Sequence, residues 1–537
     1  MVCNKCGAQN PDESKFCQTC GEALEAQAEQ TAQTEQTAQT EQAAQATQPA
    51  PAAKGKKSNK MLIAIVAAVV VIGLIIGVIG VIAIANSGPD SYVKGDFSVI
   101  YDEESNESTV IYAGKIVAEK IEGEISLRES LDGTVAVYKD SEDSLYSITK
   151  SGSKKIVDEA ASFELSDNGA KLVYTDIDGT SFLYDMKKGD KKSITDEKAG
   201  QWVFSPNGDA LAYLVLNVPG DETEAEDEIT EDEDEPSVLT YVFYKGKSTK
   251  VAEDSVVVAL SDDCKYIYYG KADSDENGSE DAVALYVTNL KGEKTKISAT
   301  AKSEPAFNAD RTQMIFNDES GKWYVSVKGG EKIKIDGVSS SVSRLYVIDG
   351  VKQTEKFQNN YFLGYSDGEY AIYKVNKKWS AEKLAGGIDS CSISDDGKTI
   401  YYIKSDKLYI LGNDEAIEED VKGFSLTSDG KAVYFRSEDD TLYYKKGKKA
   451  KKRIADDVKT AYITHDDTIL FLDEDDALFS SVNGKAPKSV GADIEDVYVC
   501  HDYTYFVGDY DAGEGNVYLA KSKAKFQKLI SNITLSK

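Results

Sequence analysis

Cys3, Cys6, Cys17 and Cys20 are the residues whose spacing most directly prescribes chemistry. They form two Cys-x-x-Cys-Gly turns, with ten residues separating Cys6 from Cys17. Each turn offers two thiolates, and two turns together make a closed tetrahedral S₄ site, the preference of structural zinc; iron is the alternative occupant. Gly7 and Gly21 follow the second cysteine of each pair, where the absence of Cβ lets backbone N–H groups curl toward sulfur. So short a segment buries no core, so the metal supplies its folding free energy. With four protein ligands no coordination position stays open, and the site is expected to be structural. A redox role for either pair lacks the surrounding βαβ pattern.

A second group of donors lies at 273–281, DSDENGSED. Asp273, Asp275, Asn277 and Asp281, with the carbonyl of Ser279, can place hard oxygen ligands around Ca²⁺, and Gly278 permits a sharp turn. The loop resembles the calcium hairpins of some β-propellers, such as those of integrins. It departs from the EF-hand, because Ala284 stands where the bidentate Glu belongs. A solvated acidic hairpin is the other reading.

Three arrangements look catalytic and are rejected. Gly364-Tyr365-Ser366-Asp367-Gly368 matches G-x-S-x-G, but no helix pattern follows and the flanks read as a hairpin. His465 and His501 stand at a turn position that other repeats fill with Asp167, Asp262 and Asp395, so they read as turn residues. Cys500 and His501 are sequence neighbours and would face opposite sides of a strand. Cys264, Cys391 and Cys500 are odd in number and far apart, which argues against a disulfide framework. No catalytic residue is assigned, and the chain is read as a non-enzyme.

The elements that must position these groups are separated by residues 61–85, which carry no charge. As a helix they would reach ~37 Å, enough to span a ~30 Å hydrocarbon core. Lys54, Lys56, Lys57 and Lys60 precede the segment, which places the N-terminus in the cytoplasm and the C-terminal part outside. A cleavable signal peptide is the rival, disfavoured by the length and position of the apolar run. Gly73 and Gly77 form GxxxG, a motif too common in membrane helices to assign a dimer. Residues 1–22 closely resemble the short zinc ribbons at the N-terminus of many bacterial membrane proteins, which implies structural Zn²⁺. Residues 23–60, rich in Ala, Gln, Thr and Glu with TAQTEQ repeated, hold no apolar period and read as a disordered linker ending in the lysine cluster.

Residues 1–60 hold 6 Lys against 7 Asp and Glu; the outer part therefore holds 56 basic and 85 acidic residues of the chain's 62 and 92. That balance argues against a nucleic-acid surface. An acidic run at 221–235, within an insertion over 220–236, is expected to be a disordered loop.

From residue 90 onward apolar and polar residues alternate, which predicts half-buried strands. Residues 154–174, 381–402 and 451–471 show one unit: a short strand, a link, a second strand, a polar turn and an aromatic-rich strand. Turn anchors Asp132, Asn168, Asn207, Asp263, Asp310, Asp349, Asp396, Asp429, Asp466 and Asp502 recur at a mean of ~41 residues, the length of a four-stranded propeller blade. The expected fold is mainly β: a β-propeller over 90–537 with about eleven units. Propellers usually have ~4–8 blades, so two rings or one unusually large ring is required, with two slightly preferred. Ile533 and Leu535 are expected to pair beside Val99 and Tyr101 and knit the ends together. Trp202-Val203-Phe204-Ser205-Pro206-Asn207-Gly208, followed by Ala210-Leu211-Ala212-Tyr213, resembles the blade signature of TolB-type propellers. That resemblance implies a binding module, or a shield for a peptidase domain.

The sequence therefore predicts a single-pass membrane protein with a cytoplasmic zinc ribbon and an extracytoplasmic propeller that senses or scaffolds a protein or small ligand. A cytoplasmic protein partner is expected for the ribbon. The alternative is an envelope hydrolase or glycan-active enzyme using acids near the propeller axis. A cluster of carboxyls with raised pKa values at the axis would favour the enzyme.

Overall fold

A computed structural model of the chain describes residues 96–217, 237–272, 283–303, 305–348, 354–464, 466–500, 503–511, 514–521 and 525–534. Residues 1–95 lie outside this set, and with them the four ribbon cysteines, the linker and the apolar segment 61–85. Among the described residues no helix is long and apolar enough to cross a membrane.

The described chain forms eleven antiparallel sheets in sequence order, nine of four strands and two of three. We number them as blades 1–11: residues 97–122, 128–157, 160–195, 199–253, 256–301, 306–334, 344–388, 390–410, 421–455, 458–491 and 496–534. In each four-stranded blade the strands pair in chain order, a to d, and strands a of successive blades adjoin one another, as those of blades 2 and 3, 4 and 5, 8 and 9, and 9 and 10 do. Blade 1 begins with the equivalent of strand b. Blade 8 has no named strand d; Ile417 and Glu418 bond to Leu408 in its place, N–H to O distances being 2.8 and 3.0 Å. Lys445 and Lys451 hold the Glu418 carboxylate there at 2.8 and 2.9 Å.

The expected half-buried alternation fails for strand b. Ala432, Val433, Tyr434 and Phe435 are all buried in succession. Successive side chains do point to opposite faces, but both faces are covered. Ala432 and Tyr434 enter the cluster with Ile469 and Phe471 of blade 10, whereas Val433 and Phe435 enter the cluster with Tyr401 and Ile403 of blade 8. A strand between two neighbouring blades therefore reads as a continuous apolar run, as strands buried on both faces do.

This packing decides the number of rings. Eleven apolar clusters each bridge two blades, ten of them consecutive pairs from 1–2 to 10–11. The eleventh joins Val507, Val517, Leu519 and Ile533 of blade 11 to Ile100 and Ile111 of blade 1. The described residues form one ring of eleven blades, and the preference for two rings is corrected. No sequence pattern states which blade the last one packs against; the buried face of Ile100 and Ile111 does.

The closure also differs in detail from expectation. Residues Lys525–Thr534 form strand d of blade 11, with Ile533 opposite Gly515, and are not paired with the strand that holds Val99 and Tyr101. Hydrogen bonds to blade 1 are made one residue later. Thr534 donates its N–H to Asp102 Oδ1 at 3.0 Å, and its carbonyl accepts the N–H of Glu103 at 2.9 Å. In blades 9 and 10 the same bond runs from Glu438 to Asp420 and from Glu474 to Asp457, each acceptor preceding a strand a. Thr534 thus occupies the equivalent place in blade 1. Leu535 lies outside the described residues.

Candidate functional site

In every four-stranded blade strands a and c run together, so the a–b and c–d turns share one end of the ring. The b–c turns and the links between blades share the other.

The a–b turns carry the predicted anchors, and their construction repeats. Ser130, Ser166, Ser205, Ser261, Ser394, Thr427 and Thr464 each place a hydroxyl on the Asp or Asn two residues later. In six of these turns the hydroxyl also accepts the N–H five residues on, closing the turn. Asn308 does the same with its amide for Asp310 and Gln313. Asp349 and Asp502 lie outside the described residues. The residue after the anchor adopts positive φ, a conformation that favours glycine, and Gly133, Gly169, Gly208, Gly397 and Gly430 supply it. Cys264, Arg311 and Asp467 take it instead, at 54°, 59° and 60°. Asp467 uses the position to accept the N–H and hydroxyl of Ser428 in blade 9, at 2.7 and 3.2 Å. Arg311 of blade 6 lies 3.6 Å from the Asp167 carboxylate of blade 3. Burial lowers its pKa, while Asp167 and Asp262 oppose that shift.

On the inner strands of blades 2 and 3 two carboxyls, Glu129 and Glu164, stand apart from the solvated majority. Burial, then the charge of Asp96, pushes Glu129 up to about 7. Burial also raises Glu164, against the nearby Arg128 guanidinium. Tyr112 is raised first by burial and then by Asp96. A carboxyl that titrates near neutrality can give or take a proton. Among the described residues no group of three or more His, Cys, Asp and Glu side chains can hold a metal ion.

The residues singled out from the sequence fare unequally. Cys3, Cys6, Cys17 and Cys20 lie outside the described residues, as do Asp273, Asp275, Asn277, Ser279 and Asp281. The strands flanking the latter loop, Ile267–Ala272 and Val283–Thr288, are paired up to Ala272 opposite Val283. The loop is therefore the b–c connection of blade 5. The acidic insertion is likewise the b–c connection of blade 4, leaving at Asn217 and returning at Ser237. Ser366 sits in a tight hairpin, with Asp367 and Gly368 at positive φ, and bonds Ser341 Oγ at 2.8 Å. No nucleophile elbow exists there. His465 and His501 lie outside the described residues. Cys264, Cys391 and Cys500 are free. Burial is the leading cause that raises them to about 12, 11 and 12, which keeps them as unreactive thiols. Glu129 gave no sequence signal, being one acid among ninety-two.

Two adjoining cavities, also silent in the sequence, open on the link end of blades 7 and 8. One of about 590 Å³ is walled by Glu369, Lys383, Gly386, Gly387, Asp389 and Lys404. The other, about 390 Å³, shares Glu369 and Lys383 and continues past Ser341, Ser366, Tyr370 and Tyr373.

The described fold is an eleven-bladed β-propeller. Residues 2–24 match the zinc-ribbon domain family, so the chain carries that domain at its N-terminus. Its four thiol donors suit structural zinc. No curated protein matches the chain. Among solved structures, an oligogalacturonate lyase from Vibrio parahaemolyticus is 11% identical, with a TM-score of 0.29 over 74% of this chain and 97% of that one. A eukaryotic initiation factor is 10% identical, with a TM-score of 0.38 over 75% and 97%. A chain of a mitotic checkpoint complex is 11% identical, with a TM-score of 0.30 over 60% and 92%.

Proposed function

We propose that this chain is a membrane-anchored binding or scaffold protein, with its propeller outside the cytoplasm and its zinc ribbon inside. The observation that carries the reading is the pairing of two modules, a zinc ribbon at 2–24 and a propeller from 97, on either side of the uncharged segment 61–85. Lysines on its N-terminal flank orient it. The propeller offers two ends built of turns, a surface suited to a protein or small ligand, and the TolB-like repeat at 202–213 supports the same use. The calcium reading of 273–281 belongs to this proposal, the loop joining strands b and c of blade 5.

The test is crosslinking of the intact protein in cells, with partners identified separately for the two sides of the membrane. Distinct partners for ribbon and propeller are expected, and removal of residues 1–22 should abolish only the inner set. An unchanged inner set after that removal would sink the two-sided reading.

A second reading, an envelope enzyme, is favoured by Glu129 alone, whose pKa of about 7 is the signature a general acid or base needs. Glu129→Gln would abolish turnover of any substrate found for it, and would leave binding by the first reading unchanged.

A further inference from the structure

The link between blades 7 and 8 departs from the pattern of the ring. Links 2–3, 4–5, 8–9 and 9–10 place Glu159, Asp254, Asp420 and Asp457 at positive φ. At the equivalent place, seven residues before the hydroxyl of the next a–b turn, strand d of blade 7 carries Gly387 at 66°, preceded by Gly386, and the acid of this joint, Asp389, comes two residues later. The larger cavity lies over the two glycines.

Three charged groups converge on this opening. A methyl on Gly386 would lie 2.7 Å from Lys383 Nζ, and one on Gly387 would lie 3.8 Å from Lys404 Nζ and 3.9 Å from Glu369 Oε2. Lys383, Lys404 and Glu369 make no ion pair among the described residues, while many other lysines of the ring do, including Lys155, Lys334, Lys407 and Lys459. Asp389 is occupied, its carboxylate accepting the Ser405 N–H at 2.9 Å. Toward the second cavity the wall changes to hydroxyls. Ser339, Ser341 and Ser366 are linked Oγ to Oγ at 2.9 and 2.8 Å, and Tyr370 and Tyr373 border them.

We propose that this groove binds a polyhydroxylated anion. The two ammonium groups take its carboxylate or phosphate above Gly386 and Gly387, the serine chain and Glu369 exchange hydrogen bonds with its hydroxyls, and the tyrosines cover its C–H face. Two lysines and two carboxylates, Glu369 and Asp389, line the opening, so on a chain of net charge −30 its formal charge is near zero and its two ammonium groups are uncommitted. Charge-assisted bonds to an anion are the strong contacts such groups offer. Hydroxyls and aromatic rings add orientation, as in small-ligand sites generally.

The experiment is calorimetric titration of the full-length protein in detergent with three probes: a glucuronate-containing disaccharide, a hexose phosphate and a neutral disaccharide. At least one anionic probe should bind, about tenfold or more tighter than the neutral one. Which anion binds tells carboxylate from phosphate. The double variant Lys383→Gln/Lys404→Gln should lose that preference, whereas Lys155→Gln, whose ammonium pairs with Asp158 on blade 2, should keep it. Absence of binding up to about 10 mM, equal binding of all three probes, or equal loss in the Lys155 variant would overturn the proposal.

Discussion

The joint between blades 9 and 10 and the joint between blades 11 and 1 are made with the same parts, although one lies inside the chain and the other unites its two ends. In the first, the Tyr434 hydroxyl accepts the N–H of Asn483 at 2.9 Å, and the Glu474 N–H meets the Asp457 carbonyl at 3.1 Å. In the second, the Tyr505 hydroxyl accepts the N–H of Gly114 at 2.9 Å, and the Glu103 N–H meets the Thr534 carbonyl at 2.9 Å. Each is filled by one apolar cluster. The difference is that blade 10 begins with a full strand a, Val458–Ile463, while blade 1 has no described counterpart. Ring closure is therefore an ordinary joint with one described strand fewer, and beside it Asp96 of blade 1 acts on the titratable group Glu129 of blade 2.

The comparison breaks most severely if residues 525–537 are removed. Strand d of blade 11, the buried Ile533 and both bonds of Thr534 go together. The expected cost is about 5 kcal/mol or more, beyond most point changes, with a broadened denaturant transition. A sharp, unshifted transition would mean that the seam bears little of the ring's stability.

Next in size is Glu129→Gln. The wild-type carboxyl has its folded pKa raised to about 7 from 4.5. Below about pH 4.5 it is protonated folded and unfolded, and contributes nothing. As the pH rises toward 7 the unfolded chain releases the proton first, so stability falls, and the full penalty stands above 7. The variant stays neutral and should be more stable than wild type by about 3 kcal/mol at pH 8, and equal to it near pH 4. Denaturation midpoints at the two pH values measure it. A gain that does not depend on pH would show that Glu129 is not held in its neutral form.

The smallest effect sharpens the comparison. Tyr505→Phe and Tyr434→Phe each leave a turn N–H without its hydroxyl partner, at an expected cost of about 1–2 kcal/mol apiece. Similar losses in urea titrations would confirm that seam and interior joint are equivalent. A much larger loss for Tyr505 would mark the seam as the site where unfolding begins.

Much of this architecture is legible in the sequence, because it rests on local chemistry. The Ser-x-Asp and Thr-x-Asp turns announce themselves through hydroxyl and carboxylate at fixed spacing, and the strand order follows. Inner strands such as Arg128–Glu129 and Ala306–Phe307, two residues long, carry no period to detect. The single ring was not legible either, since it depends on Ile533 meeting Ile100 across the whole length of the chain. Of the sites, the four thiols are named by spacing alone. Glu129 acquires its character only when folding buries it beside Asp96, and the groove at Gly386 exists only because two glycines stand where other joints carry side chains.

The repeating unit runs from strand d of one blade through strands a and b of the next, as residues 451–471 do. Each copy of the unit therefore carries the link between two blades within it. A gene that gains or loses a copy between equivalent turn anchors, such as Asp429 and Asp466, joins a strand b to its usual successor and leaves every other joint as it was. Ring size then becomes a heritable count, free to drift in steps of one, with curvature shared among all the joints and a groove such as that of blades 7 and 8 carried along intact.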